Sequence, residues 1–246
     1  MGAAGGPSLT NQNLVAYFDV ANPKCIDASQ TIVAGTRLQN LAGGDPEMYP
    51  YDSLANMSFV LENGKYIYNQ NGVNGGDPGW LSTVNVSRSD SYTFVCWFKF
   101  TYGTGNQRAE NIYGGGFQSE TSFVISWGGT SSAHGVLRYS DAGGTNSYSA
   151  TAAHGGNDNN WHQFASTDEG GDGNQTTKFY IDGVLKQTAT SNASHDTPDG
   201  SARMTWGSWS GGYGNFNGKT NCYMYYDRVL SAQEIADLYN ATKGRF

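Results

Sequence analysis

The stretch from Trp206 to Phe216, Trp-Gly-Ser-Trp-Ser-Gly-Gly-Tyr-Gly-Asn-Phe, concentrates aromatic rings and small polar residues between two strand-like runs. Rings of this kind stack on pyranose faces, and neighbouring amides and carbonyls read sugar hydroxyls. Trp209 and Tyr213 are the leading candidates for such stacking, with Asn215 in the same loop. Asn111 and Tyr113, in an earlier stretch rich in glycine and asparagine, are candidates to join them. Trp206 and Phe216 read instead as core plugs at strand ends.

A second chemistry needs clustered carboxylates. Asp168, Glu169 and Asp172 form the densest acidic run, in what reads as a loop from Glu169 to Gln175. Loop carboxylates and carbonyls are what calcium takes as ligands, so these three are the calcium candidates. The competing reading is a solvated turn, and no Asp-x-Asp-x-Asp ladder supports the ion. His134, His154, His162 and His195 are scattered, and no nucleophile-elbow motif accompanies them. Cys25, Cys96 and Cys222 are too widely spaced for a zinc pattern or a disulfide framework. Cys96 reads as a small buried hydrophobe within an apolar strand.

Composition narrows the setting. The 246 residues include 34 glycines, and only 14% of the chain is charged. Abundant Asn, Ser and Thr complete the profile of short strands joined by polar loops. A net charge of −7 lacks the basic footprint that nucleic acid or an anionic membrane requires. No apolar run reaches the length of a membrane span. The first residues lack the charged and apolar regions of a secretory signal, and the unpaired cysteines fit synthesis in a reducing compartment.

The elements that must carry the candidate sites follow in order. Residues 1–13 form a glycine-rich arm with little to bury, expected to be flexible. Leu14 to Phe18 is a first strand, and the chain from Gln30 to Glu47 is loop-like, with room for one short strand. Glu62-Asn63-Gly64 turns a hairpin between runs at 57–61 and 65–68. A strand follows at 80–86, and Tyr92 to Phe100 is apolar on both faces, as a central strand covered on both sides would be. Residues 102–119 read as a long loop, with strands at 122–127 and 135–139 and a shorter one at 147–151. Trp161 to Thr167 and the hairpin around Asp182-Gly183 make three consecutive antiparallel strands, with Ile181 facing Val184 and Tyr180 facing Leu185. Strands at 202–206 and 220–226 lead to one helix. Its start is a capping box, Ser231 to Glu234; Ile235, Leu238 and Tyr239 form its apolar stripe, and Gly244 ends it.

These segments together resemble the laminin-G-like jelly rolls of the concanavalin A-like lectin/glucanase superfamily. The carrying residues are Thr93-Phe94-Val95-Cys96-Trp97, Trp161-His162, Tyr180-Ile181-Asp182-Gly183 and Phe216-Asn217-Gly218-Lys219. The block Tyr225-Tyr226-Asp227-Arg228-Val229-Leu230-Ser231, with Glu234-Ile235 and Leu238-Tyr239, completes them. The opening, Leu14 to Asp19 with Asn22-Pro23, and the ending, Asn240 to Phe246, are similar to versions in tailed-bacteriophage proteins. The resemblance implies an all-β fold over residues 14–246: a two-sheet antiparallel jelly-roll sandwich with one short C-terminal helix. Calcium is the usual ion of such domains, so no cofactor beyond it is expected. Hydrolases of the superfamily carry a Glu-x-Asp-x-x-Glu run on one strand. Here Glu62, Glu110, Glu120, Glu169 and Glu234 stand isolated, so no enzyme activity is expected. The implied role is a structural protein of a tailed-phage virion: a capsid decoration, fibre or tail component, made in the host cytoplasm and displayed on the virion surface. Its partners would be other virion proteins, reached through the arm, and host polysaccharide; copies of the chain in an oligomer fit the same role. A free-standing lectin is the alternative, and a divergent glycoside hydrolase a remote one.

Overall fold

The computed structural model describes residues 12–51, 54–71, 79–84, 91–99, 110–117, 122–127, 136–140, 147–150, 158–170, 175–191, 204–207 and 217–246. Among the described residues fifteen strands make two antiparallel sheets. They are β1 (Leu14–Phe18), β2 (Met48–Tyr51), β3 (Met57–Glu62), β4 (Lys65–Asn71), β5 (Gly79–Ser82), β6 (Tyr92–Lys99), β7 (Glu110–Phe117) and β8 (Ser122–Trp127), followed by seven more. Those are β9 (Val136–Ser140), β10 (Ser147–Ala150), β11 (His162–Glu169), β12 (Gln175–Ile181), β13 (Val184–Ser191), β14 (Met204–Gly207) and β15 (Asn217–Tyr226). The larger sheet runs β13-β12-β11-β6-β15-β4-β3, and β1 also pairs with β15; the smaller runs β10-β9-β8-β7-β14-β5-β2. This is the jelly-roll sandwich that the sequence implies.

Strand β6 is buried along its length except at Lys99, because both of its faces are covered. Phe94, Cys96 and Phe98 point into the core between the sheets, with Phe164, Phe179, Tyr223, Tyr225, Trp80 and Trp206. Val95 and Trp97 point to the outer face, where they pack with Ala165, Tyr180 and Met224 beneath the helix α1 (Ala232–Thr242). Each fully buried aromatic or aliphatic side chain contributes roughly 1.5–3 kcal/mol, so both layers hold the larger sheet. Ile235 and Leu238 are the buried residues of the helix stripe, and Tyr239 is half-buried.

The hairpin turns match their sequences. Asp182 and Gly183 have φ of 53° and 76°, and the register sets Ile181 opposite Val184 and Tyr180 opposite Leu185. Asn63 and Gly64, with φ of 50° and 76°, turn β3 into β4 in the same way. The capping box is complete: the Glu234 amide donates to Ser231 Oγ at 3.2 Å, and the Ser231 amide donates to Glu234 Oε2 at 2.8 Å.

Two elements depart from the sequence expectation. The stretch expected as a loop at 102–119 contains β7. Strand β2 lies just beyond the stretch at 30–47, within which Leu38 bridges to Met48. Pro50 is tolerated in β2 because that strand lies at a sheet edge. Gly244 does not cap α1 in a left-handed conformation; Lys243 does so in αR, and the chain tightens into a 3-10 turn over Lys243–Arg245. The arm expected at 1–13 is described only from Gln12. There the Gln12 carbonyl accepts from Arg228 Nε at 3.0 Å and the Asn13 carbonyl from the Asp227 amide at 2.9 Å.

Candidate functional site

Strands β14, β7 and β5 set the backbone of the aromatic region. β14 lies between β7 and β5 in the smaller sheet, with Trp206 opposite Trp80 and Gly207 opposite Tyr113. The chain then leaves for residues 208–216 and re-enters as β15 in the other sheet, where Asn217 pairs with Asn71 of β4. Tyr113 is thus placed by register beside the residue at which that connection begins. Asn111, two residues before it in β7, faces Ser126 of β8. Trp209, Tyr213 and Asn215 lie outside the described residues.

Beneath this end of the sandwich is an aromatic nest. Trp80 stacks on Phe59 at 6.0 Å and meets the edge of Tyr68 at 5.8 Å, and Tyr68 meets Trp206 at 5.4 Å. Trp206 is fully buried and its indole donates to Thr220 Oγ1 at 3.1 Å. It is the core plug that the sequence suggests. Phe216 lies outside the described residues.

Two of the three calcium candidates lie within the described residues, in different surroundings. Asp168 lies within β11 rather than in the loop after it, fully buried. Tyr92 and Thr177 donate to its Oδ2, each at 3.2 Å, so the carboxylate ties β6, β11 and β12 together. Glu169 is the exposed last residue of β11, and Asp172 lies outside the described residues. Among the described residues no group of three or more histidine, cysteine or acidic side chains is arranged to hold a metal.

Other carboxylates have partners too. Glu62 accepts from Lys99 Nζ at 2.7 Å, from Trp161 Nε1 at 3.1 Å and from Lys219 Nζ. Burial alone would raise its carboxyl, but these three donors hold it down to about 2. Asp19 accepts from Arg245, from Tyr17 and, at 3.0 Å, from the Ala21 amide. Glu234 serves the helix cap and pairs with Arg228. His162 sits between two carboxylates, its Nδ1 2.7 Å from Asp182 and its Nε2 3.0 Å from Asp158. Asp182 accepts at 2.9 Å from the Gln163 amide as well, so the Trp161-His162 pair and the Asp182-Gly183 turn are two halves of one clamp. None of these arrangements sets two carboxylates across an open cleft, the requirement for glycoside hydrolysis.

The Glu62 junction and the Asp19–Arg245 pair carry no sequence signal, because their members are separated by up to 226 residues and no motif links them. One open concavity is also silent in the sequence. Leu14, Tyr17, Asn22, Lys24, Leu41 and Ala42 line a groove of about 360 Å³ beside β1.

A sandwich of this topology, with its helix on the outer face of the larger sheet, is a lectin-like jelly roll. The chain belongs to the concanavalin A-like lectin/glucanases superfamily, whose Laminin G 3 profile matches residues 74–236. Among solved structures it is similar to domain 4 of AbnA, a GH43 extracellular arabinanase from Geobacillus stearothermophilus, in complex with arabinotriose. That likeness has 18% identity and a TM-score of 0.58, and covers 92% of this chain and 98% of that one. It is also similar to the botulinum neurotoxin serotype D binding domain, at 13% identity and a TM-score of 0.60, over 94% of this chain and 51% of that one. The binding domain of Paraclostridial Mosquitocidal Protein 1 matches at 13% identity and a TM-score of 0.62, over 93% of this chain and 52% of that one. This chain spans about half the length of these toxin binding domains. No curated protein matches the sequence.

Proposed function

We propose that this chain is a non-catalytic glycan-binding domain. The observation that carries the reading is the domain-for-domain likeness to the arabinotriose-bound arabinanase domain, which is matched over almost its whole length. The engagement of Glu62, Asp19 and Glu234 by basic partners, and of Asp168 by hydroxyls, supports binding rather than hydrolysis. We assign the sugar to the connection 208–216, with Trp209 and Tyr213 stacking on its rings and Asn215, Asn111 and Tyr113 reading its hydroxyls. The pairing of Gly207 with Tyr113 supports that grouping. Calorimetric titration with neutral oligosaccharides, arabino-oligosaccharides first, tests the assignment. Saturable binding is expected, and Trp209→Ala with Tyr213→Ala should abolish it. Binding that survives both changes sinks the assigned site, and release of reducing ends from a polysaccharide sinks the non-catalytic reading.

The biological setting we propose is the surface of a tailed-phage virion, where residues 1–13 engage other virion proteins and the sandwich meets host polysaccharide. Its support is the resemblance of the opening and closing segments to phage proteins. In the structure these two segments meet, Asp19 against Arg245. Mass spectrometry of purified particles from the source decides it, since absence of the chain from them removes the virion role.

A further inference from the structure

The groove beside β1 has walls that are already set. Tyr17 is held on its main chain by the Asn40 side chain, which accepts from the Tyr17 amide at 2.9 Å and donates to the Val15 carbonyl at 2.9 Å. The same Asn40 oxygen accepts from the Ala42 amide at 3.0 Å, and the Leu41 amide donates to the Tyr17 carbonyl at 2.8 Å. Residues 40–42 are therefore laced to β1 like a short added strand. On the other side, Asn22 is fixed in a turn: its amide donates to the Asp19 carbonyl at 2.9 Å, and its carbonyl accepts from the Cys25 amide at 2.8 Å. The Tyr17 hydroxyl is tied to Asp19 and Arg245, which orients its ring as a wall.

The polar groups on offer are one-sided. Lys24 makes no ion pair among the described residues, whereas Lys99, Lys219, Arg228 and Arg245 each have a carboxylate. Asn22 spends its side-chain oxygen on the Lys24 amide at 3.0 Å, which leaves its NH2 group as the available donor. Among the described residues the lining contains no carboxylate, and Asp19, which the Tyr17 hydroxyl contacts, is occupied by Arg245 and a main-chain amide as well. An ammonium and an amide donor beside a tyrosine ring and the side chains of Leu14, Leu41 and Ala42 call for a partner with an apolar face and a surplus of acceptors. At about 360 Å³ the groove lies within the roughly 300–1,000 Å³ of small-molecule sites.

From this we infer that the groove is a second subsite, separate from the connection 208–216, which takes a sugar bearing a carboxylate: a uronic acid whose ring lies on Tyr17 and whose carboxylate meets Lys24 and Asn22. In a chain of net charge −7, Lys24 gives this groove the local sign that attracts an anion.

The test is an NMR titration of the full, isotope-labelled chain with digalacturonate, with neutral galactobiose and with inorganic phosphate. Digalacturonate should give saturable shifts in the amides of Leu14, Tyr17, Asn22, Lys24, Leu41 and Ala42. Galactobiose should leave them in place, and phosphate should not saturate over the same range. Lys24→Gln, at an exposed position, should weaken digalacturonate about five- to tenfold. Ala42→Trp should remove binding by filling the groove, with an unchanged spectrum elsewhere reporting an intact fold. Trp209→Ala and Tyr213→Ala should change nothing here, so loss of neutral-sugar binding in those variants bears on the loop assignment alone. The inference is overturned if digalacturonate leaves the groove amides unmoved. Equal affinity in Lys24→Gln, or phosphate binding as tightly as the sugar, overturns it too.

Discussion

Gly183 sits at a point where backbone shape and packing agree. Its φ of 76° is a conformation that side chains resist, and a Cβ there would lie 3.1 Å from the Ala236 Cα and 3.2 Å from the Tyr239 Cβ. Gly183→Ala should therefore cost about 1–3 kcal/mol, read from the urea midpoint. Next to it, Asp182 accepts from the Gln163 amide and pairs with His162, and a second carboxylate, Asp158, closes on the other ring nitrogen. The hydrogen bond with Asp182 is the main cause that raises the His162 pKa above its ordinary 6.5, against burial, which lowers it. The folded state thus binds the proton more tightly than the unfolded chain. The resulting stabilisation is fully present below pH 6.5 and is lost as pH rises through the folded-state value. Urea unfolding across pH 5.5–8.5 should show stability falling over the upper part of that range, and His162→Gln should flatten the slope. At this scale the sequence is partly legible. Asp182-Gly183 announces a turn because turn chemistry is local, but nothing local tells that Asp182 also holds the start of a strand 19 residues earlier.

At the scale of elements, α1 is fastened to the larger sheet by Thr242. This buried hydroxyl accepts from Trp97 Nε1 at 2.9 Å and from Gln163 Nε2 at 3.4 Å, and it donates to the Leu238 carbonyl at 2.7 Å. Thr242→Val keeps the shape but strips two buried donors of their acceptor. A loss of about 2–4 kcal/mol is expected in denaturant unfolding, beyond what the missing helix-end bond alone would cost. The helix itself is readable from its capping box and its 3.6-residue stripe. The strands divide into two groups. β6, β12 and β13 show themselves by aromatic and β-branched runs, whereas β7 is Glu-Asn-Ile-Tyr-Gly-Gly-Gly-Phe and looks like loop. Its glycines are the partners of β14: Gly114 and Gly116 lie opposite Trp206 and Thr205. Residues with weak strand preference are held there by the neighbours that flank them, which is information no single window of sequence contains. The candidate site suffers in the same way. Its aromatic composition is visible, but the pairing that brings β7 alongside β14 is not.

For the molecule as a whole, the decisive contacts join distant parts of the chain. Arg245 reaches Asp19 across 226 residues, and the Asp19 side chain is only 3% exposed. Arg245→Met would leave a buried carboxylate without its counter-charge, so a loss of about 3–5 kcal/mol is expected. Adding Asp19→Asn to that variant should recover part of the loss, which a double-mutant cycle measures. The fold class is legible at this scale because many weak motifs occur in one order. The tethers are not, since a charge pair this far apart has no spacing to read.

Strand β15 takes its partners from three separate parts of the chain. It pairs with β6 along one edge, and along the other first with β4, at Asn217–Thr220, and then with β1, at Tyr223–Tyr226. Cys222, with φ of 53°, makes the bulge at the changeover, where Asn221 accepts from the amides of Val20 and Cys222. A strand from the interior of the larger sheet is thus the last in sequence among the described strands. On the ribosome, β1, β4 and β6 must wait with open edges until residue 226 has emerged. Loop closure over some two hundred residues then governs the rate, so this domain should form only once residue 226 is available and fold in the slow, millisecond-to-second regime of non-local β topologies.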